Sequence, residues 1–182
     1  VFGTRLSLLV GLVSVAVGLS LGLVLGALAG YLGGWVDVLI MRFMDIMLSI
    51  PGLLLAIGLV AALGRGLVQI MIAVGITNVP VFARLLRAAI LGQRESDYVL
   101  AGRSVGVKGS RLLLRHILPN SLAPVIVQAT LAMATAIIDA AGLAFLGLGS
   151  ADPSVPEWGR MLAETQRSLA SAPQLAFFPG LA

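Results

Sequence analysis

Cysteine is absent from this 182-residue chain, histidine occurs once, and only 11% of the residues carry charge. Without cysteine there is no disulfide, thiolate metal site or thiol nucleophile. The lone His116 has no nearby partner with which to build a histidine metal site or a histidine-based triad. No GxxxxGK[ST] phosphate loop is present, and GVKGS at 106–110 has neither its spacing nor a preceding strand, so the chain is not expected to bind ATP or another cofactor itself. Charge is replaced by apolar residues, which make up 59% of the chain and give a mean hydropathy of +1.05. A soluble domain is typically about 25% charged. The composition is that of a membrane protein, expected to be polytopic and all-α; most metalloenzyme and covalent-catalysis readings fall away, and neither a metal site nor a catalytic residue is expected.

The net charge of +4 raises nucleic acid as a partner. However, Arg84, Arg87, Arg94, Arg103, Lys108, Arg111 and Arg115, seven of the twelve basic residues, lie beside membrane-length apolar segments. The excess of Lys and Arg in cytoplasmic connections accounts for that cluster, so no nucleic-acid partner is expected.

A spanning helix needs about 20 mainly apolar residues. Four stretches qualify: Leu6 to Val36, Ile46 to Gly64, Gly66 to Ala83, and Ile117 to Ile138, which resumes after Asp139; Ser168 to Ala182 begins a fifth. The side holding 31–45 and 84–116 carries most of the basic residues and is therefore assigned to the cytoplasm. That places Val1, the turn near Gly64 and residues 150–167 outside. An outside start, with no basic leader and no initial Met, suggests that a spanning helix precedes these residues.

Within the first segment Gly18, Gly22, Gly26 and Gly30 recur every four residues and share one helical stripe. Such spacing lets a neighbouring backbone approach closely, which suits a packing seam; a glycine-lined conduit is the alternative. Pro51 and Pro80 fall inside the second and third segments and predict kinks, either static or in a gate or pathway helix. Asp139 is the one acid embedded in an apolar stretch, a candidate for the gate or pathway. It lies 22 residues beyond Ile117, roughly 33 Å along a helix, which suits the outer interface better than a proton relay. Arg42 and Asp45, three apart, predict a local ion pair.

Residues 97–120, DYVLAGRSVGVKGSRLLLRHILPN, cannot span, because each central Arg or Lys costs about 2.5–3.5 kcal/mol. Tyr98, Ala101, Gly102 and Val105 follow helical spacing and predict a small, mostly apolar ridge beginning after Asp97. Gly106 supplies a stop. After Lys108 a second helical run begins, and Pro119 predicts another change of geometry. Helix, glycine break and helix form an element suited to a partner's groove; a solvated loop that only sets topology is the alternative.

The same stretch resembles the coupling motif of ABC importer permeases: EAA, three residues, Gly, then Leu-Pro. Ala101 matches its first alanine, Gly106 its glycine, and Leu118 and Pro119 its closing pair, whereas Leu100, Gly102 and His116 depart from it. The similarity extends to GALAGYLGGWVD at 26–37, MRFMDIMLSIPGLLLA at 41–56, RHILPN at 115–120, IVQATL at 126–131, FLGLG at 145–149 and PEWGRML at 156–162. Together these resemble the dipeptide, oligopeptide and nickel branch of that family, in its second permease subunit.

The resemblance implies a single permease domain over 1–182, with about five spanning helices of the type I importer fold. Relative to that family, a first helix and the end of the last lie outside these residues. It further implies that 97–119 is a cytoplasmic coupling helix, with Asp97, Tyr98, Ala101, Gly102, Arg103, Gly106, Lys108, Leu118 and Pro119 at an ATPase. The implied partners are a homologous permease in a heterodimer, two cytoplasmic ATPases carrying ATP and Mg, and an extracytoplasmic substrate-binding protein. The setting is a bacterial cytoplasmic (inner) membrane. Pro153, Pro156, Glu157, Trp158 and Arg160 in the outer loop 150–167 either meet the binding protein or anchor the interface through Trp158. Peptide is favoured over nickel because no His, Cys or Met cluster forms a metal path. An ion-coupled carrier and a membrane scaffold are the competing classes.

Overall fold

A computed structural model describes residues 2–150, 152, 158–166, 172 and 174–181. All regular structure among them is helical: α1 (Phe2–Leu32), α2 (Gly34–Ser49), α3 (Gly52–Leu63), α4 (Leu67–Arg94), α5 (Asp97–Ser104), α6 (Gly109–Leu112), a π-helical turn (Leu113–Ile117), α7 (Leu118–Phe145), α8 (Trp158–Thr165) and α9 (Gln174–Leu181). Among the described residues three stretches, Gly3–Leu32, Leu67–Arg94 and Gly109–Phe145, are long and apolar enough to cross a membrane. The pair α2 and α3 would add a fourth as a broken span.

That pair corrects the expected span over 46–64. Proline lacks an N–H and pushes the residue before it out of the α region. At Pro51 the backbone therefore leaves the helix, with φ −52° and ψ 128°, and α3 starts afresh at Gly52. Pro51 caps a helix instead of kinking one. Pro80, by contrast, is fully buried inside α4. Residues 34–45, expected as a connection, belong to α2, which Gly33 and Gly34 separate from α1 by left-handed φ values of +67° and +53°. The third span continues beyond Ala83 to Arg94 and carries Arg84 and Arg87 on helix.

The chain forms two compact units. In the first (Val1–Val17, Ile50–Thr77, Ala132–Ala182), α1 meets α7 where a Cβ on Gly11 would lie 2.7 Å from Ile137 Cγ1. It meets α4 where a Cβ on Gly75 would lie 2.7 Å from Val17 Cβ. Gly159 of α8 sits against the Ala141 carbonyl of α7.

The second unit (Gly18–Ser49, Asn78–Leu131) is built on the glycine stripe. A Cβ on Gly22 would lie 2.5 Å from Phe82 Cβ, one on Gly26 2.5 Å from the Ala83 carbonyl oxygen, and one on Gly30 3.0 Å from Ile90 Cβ. The stripe thus holds α1 against α4 at backbone distance; overpacking such a contact costs about 1–3 kcal/mol. Gly18, the fourth member, is buried near the middle of α1. On another side of α4, Met44 of α2 is buried with Val79 and Ala83, with Leu25, Ile40, Met41 and Met47 packed around it.

Candidate functional site

The site is the surface built by α5, α6, the π turn and the start of α7, all in the second unit. Asp97 stands in the first turn of α5, where a carboxylate favours the positive helix end. The helix is tied to α4 by the Tyr98 hydroxyl, which donates to Gln93 Oε1 at 2.7 Å. Val99 is fully buried, and a Cβ on Gly102 would lie 2.7 Å from Leu112 Cδ2 of α6. These contacts divide the predicted ridge. Gly102 turns partly inward onto Leu112, where the small residue leaves room for leucine. Ala101 and Val105 point outward, joined by Leu100 and by the exposed edge of Tyr98. Val105 is 79% exposed.

Helix α5 ends as Gly106 predicts, and the geometry explains why. The Gly106 N–H donates to the Arg103 carbonyl at 3.0 Å and the Val107 N–H to the Gly102 carbonyl at 3.0 Å. This is the paired closure in which a left-handed residue satisfies the last free carbonyls. Gly106 has φ +78°, a value that strains a side-chain-bearing residue and that proline cannot reach.

The second geometric change lies earlier than expected. It is the π turn at Leu113–Ile117, whereas Leu118 and Pro119 already belong to α7. Pro119 cannot return a hydrogen bond to the carbonyl four residues back, so the chain widens just before it. The Asn120 side-chain amide then donates to the His116 carbonyl and the Ser121 hydroxyl to the Ile117 carbonyl, each at 2.8 Å.

The seven basic residues of 84–115 fall into two sets. Arg87 forms a two-pronged pair with Asp37 of α2, with Nη2 to Oδ2 at 2.5 Å, and Arg84 pairs with Asp45. Arg94 Nη1 donates to the Gly30 carbonyl near the end of α1 at 2.9 Å. Arg103, Lys108, Arg111 and Arg115 are exposed, and none forms an ion pair among the described residues. Asp45 thus takes Arg84 instead of the predicted Arg42, because the α4 guanidinium reaches it across the helix contact. Arg42 borders an open groove of about 370 Å³ together with Asp37, Val38, Met41, Asp45 and Arg87.

Sequence periodicity missed Asp37, Arg84, Arg87, Arg94 and Tyr31 as structural partners. The available signal was chemical: a charge next to an apolar span is costly unless paired, and Asp37 and Asp45 are the acids of α2.

Elsewhere, Asp139 is half-buried on α7 with no ion pair among the described residues. Pro153, Pro156 and Glu157 lie outside the described residues. Trp158 opens α8, and Arg160 pairs with Glu164 at 2.8 Å while donating to the Asp152 carbonyl at 2.6 Å. Among the described residues no cluster of three or more His, Asp or Glu is arranged to hold a metal.

Residues 22–182 match the family profile described as binding-protein-dependent transport system inner membrane component. The chain is 50% identical over 180 residues to the dipeptide transport system permease protein DppC of Alkalihalophilus pseudofirmus, covering 99% of this chain and 59% of that protein. It is 49% identical over 181 residues to the di/tripeptide transport system permease protein DppC of Pseudomonas aeruginosa, covering 100% and 59%. It is 48% identical over 180 residues to the glutathione transport system permease protein GsiD of Shigella flexneri, covering 99% and 59%. The chain therefore spans about 59% of the length of these curated relatives. Its fold matches a chain of the MetNI methionine ABC transporter, solved in inward facing conformations, with TM-score 0.79 at 18% identity over 98% of this chain and 85% of that one. The apolar helices, the profile and the fold agree: this is a multi-pass membrane protein with an ABC importer permease fold, and the chain belongs to the binding-protein-dependent transport system inner membrane component family.

Proposed function

We propose that this chain is the transmembrane permease part of an ATP-driven importer of small peptides, and that residues 97–119 dock in a groove of a cytoplasmic ATPase. The observation that carries the docking role is the outward apolar row Tyr98, Leu100, Ala101 and Val105 on a helix whose other side is pinned by Val99 and Gly102. A solvated loop gains nothing from an exposed valine and leucine beside four cations that form no ion pair among the described residues; a partner groove covers both. Gly106 sets the angle at which the ridge is presented. Arg103 and Lys108 meet acidic groups of the ATPase, which carries the ATP and Mg. Leu118 and Pro119 start the helix that receives the motion. A homologous permease completes the pathway, in which Asp139, Pro51 and Pro80 are candidate gate or lining residues. An extracytoplasmic binding protein delivers substrate near residues 150–167.

Small peptide is the substrate class that the relatives' names favour, since dipeptide, di/tripeptide and glutathione permeases match at 45–50% identity. Glutathione is itself a tripeptide, so the choice lies within one class. The test is site-specific crosslinking from Ala101→Cys in the complete transporter to single cysteines along the ATPase groove, together with uptake of labelled dipeptide, glutathione and nickel. An ATP-dependent crosslink with peptide uptake is expected. Absence of any ATPase crosslink in a correctly inserted protein returns the basic loop to a topology signal, and nickel uptake alone overturns the substrate class.

A further inference from the structure

Four contacts run in series beneath the proposed docking ridge. The back of α5 meets α6 where Gly102 faces Leu112, which is only 2% exposed. The start of α6 meets the end of α1 where Gly109 stands against the Tyr31 hydroxyl, so close that a Cβ on Gly109 would overlap it. One residue before Tyr31, the Gly30 carbonyl accepts the Arg94 guanidinium from the end of α4 at 2.9 Å. At the same Gly30, α1 lies on Ile90 and on the Arg87 backbone of α4, since a Cβ there would come within 3.0 Å and 3.2 Å of them. The ridge is thus linked to α1 through one aromatic side chain, and the end of α1 is clamped to α4 by a charged hydrogen bond and a backbone contact.

We infer that Tyr31 is a positioning residue for transport: seated on Gly109, it carries displacement of the docking loop into α1, with Arg94 fastening α1 to α4 so that the two move together. The inference rests on the proposed docking role of 97–119. Its physical basis is that close-packed contacts shift as units and do not deform continuously. Glycine at 109 is explained in the same way, because a side chain there would displace the tyrosine ring. Tyr31 is rigid, with two rotatable side-chain bonds, and suits a strut better than a long aliphatic residue would.

These residues contain no cysteine, so within them engineered thiols stand alone in a test on the complete transporter. Gly109→Leu is expected to lower peptide uptake at least tenfold while ATP hydrolysis and the Ala101→Cys crosslink to the ATPase persist. Tyr31→Ala, which removes the strut, is likewise expected to lower uptake at least tenfold while ATP hydrolysis and the Ala101→Cys crosslink persist. A Tyr31→Cys, Gly109→Cys pair joined by a short bifunctional thiol reagent is expected to transport, because the two positions move as one. Unchanged uptake in Gly109→Leu or in Tyr31→Ala, or a block on joining the pair that reductant reverses, overturns the inference. If Gly109→Leu fails to reach the membrane, Tyr31→Ala and the joined cysteine pair decide. Should the Ala101→Cys crosslink be missing even with Tyr31 and Gly109 intact, the docking role itself fails, and this inference fails with it.

Discussion

The end of α4 and the loop that follows it carry the same kind of charge and treat it in opposite ways. On α4, Arg84, Arg87 and Arg94 are turned inward onto Asp45, Asp37 and the Gly30 carbonyl. On the loop, Arg103, Lys108, Arg111 and Arg115 stand outward with no ion pair among the described residues. The first set serves the fold and the second is left for something outside the chain. Net charge does not distinguish the two sets; the difference is whether an acid or a free carbonyl waits within reach. The contrast also explains why so apolar a chain concentrates its cations here. Three of the seven tie α1 and α2 to α4, and that tie is the base on which the other four are displayed.

Removing the more buried of the two ion-paired arginines of α4 should give the largest effect. In Arg87→Ala, Asp37 is left without its partner. Its side chain is only 17% exposed, so the cost should fall between that of an exposed pair and the 3–5 kcal/mol of a fully buried one, about 2 kcal/mol. Thermal unfolding in detergent should show it, and exchanging the pair as Asp37→Arg with Arg87→Asp should recover part of the loss. A variant as stable as the parent would place Arg87 in the outward class.

Next in size is the glycine break between α5 and α6. Gly106→Ala forces a side chain into φ +78° and should destabilise α5 by about 1 kcal/mol. Gly106→Pro, which cannot adopt that angle, should uncouple ATP hydrolysis from uptake while the protein stays in the membrane. Loss of the protein from the membrane would instead give Gly106 a folding role.

Arg84→Ala sharpens the comparison from within the inward set. Arg84 and Asp45 are 47% and 46% exposed, so breaking their pair should cost about 0.5 kcal/mol, measurable as a small fall in melting temperature. A loss equal to that of Arg87→Ala would mean that burial does not separate the two pairs. The smallest stability effect belongs to the outward set. Arg103→Ala with Lys108→Ala should leave stability within about 0.5 kcal/mol of the parent, because a surface substitution away from any partner rarely costs more. It should still reduce the ATPase crosslink from Ala101→Cys. A stability loss without change in the crosslink would reverse the assignment of those two residues.

Much of this site was legible along the chain. Helical spacing marked the ridge at Tyr98, Ala101 and Val105, a single glycine marked its stop, and glycines every fourth residue marked a face of which Gly22, Gly26 and Gly30 lie on α4. These are statements about one helix at a time, and i, i+3 and i, i+4 spacing carries them. The predicted pair of Arg42 with Asp45 failed for the same reason: it considered only neighbours on one helix, while the actual partner lies 39 residues away. Pro51 was read as a kink and Pro119 as a change of geometry, each at its own position. The chain instead ended a helix at the first and widened into a π turn before the second.

Composition, the lack of cysteine and of a phosphate loop, the apolar segments and the stop at Gly106 follow from the sequence itself, because hydropathy, residue chemistry and local backbone preference act over a few neighbouring residues. Which arginines are paired, and which form no ion pair among the described residues, was decided only when α2 and the end of α1 came to lie on α4. So was the seating of Tyr31 on Gly109. Ion pairs and close contacts act over a few ångströms in space, and only the packed helices bring residues 30–45 and 84–112 within that range.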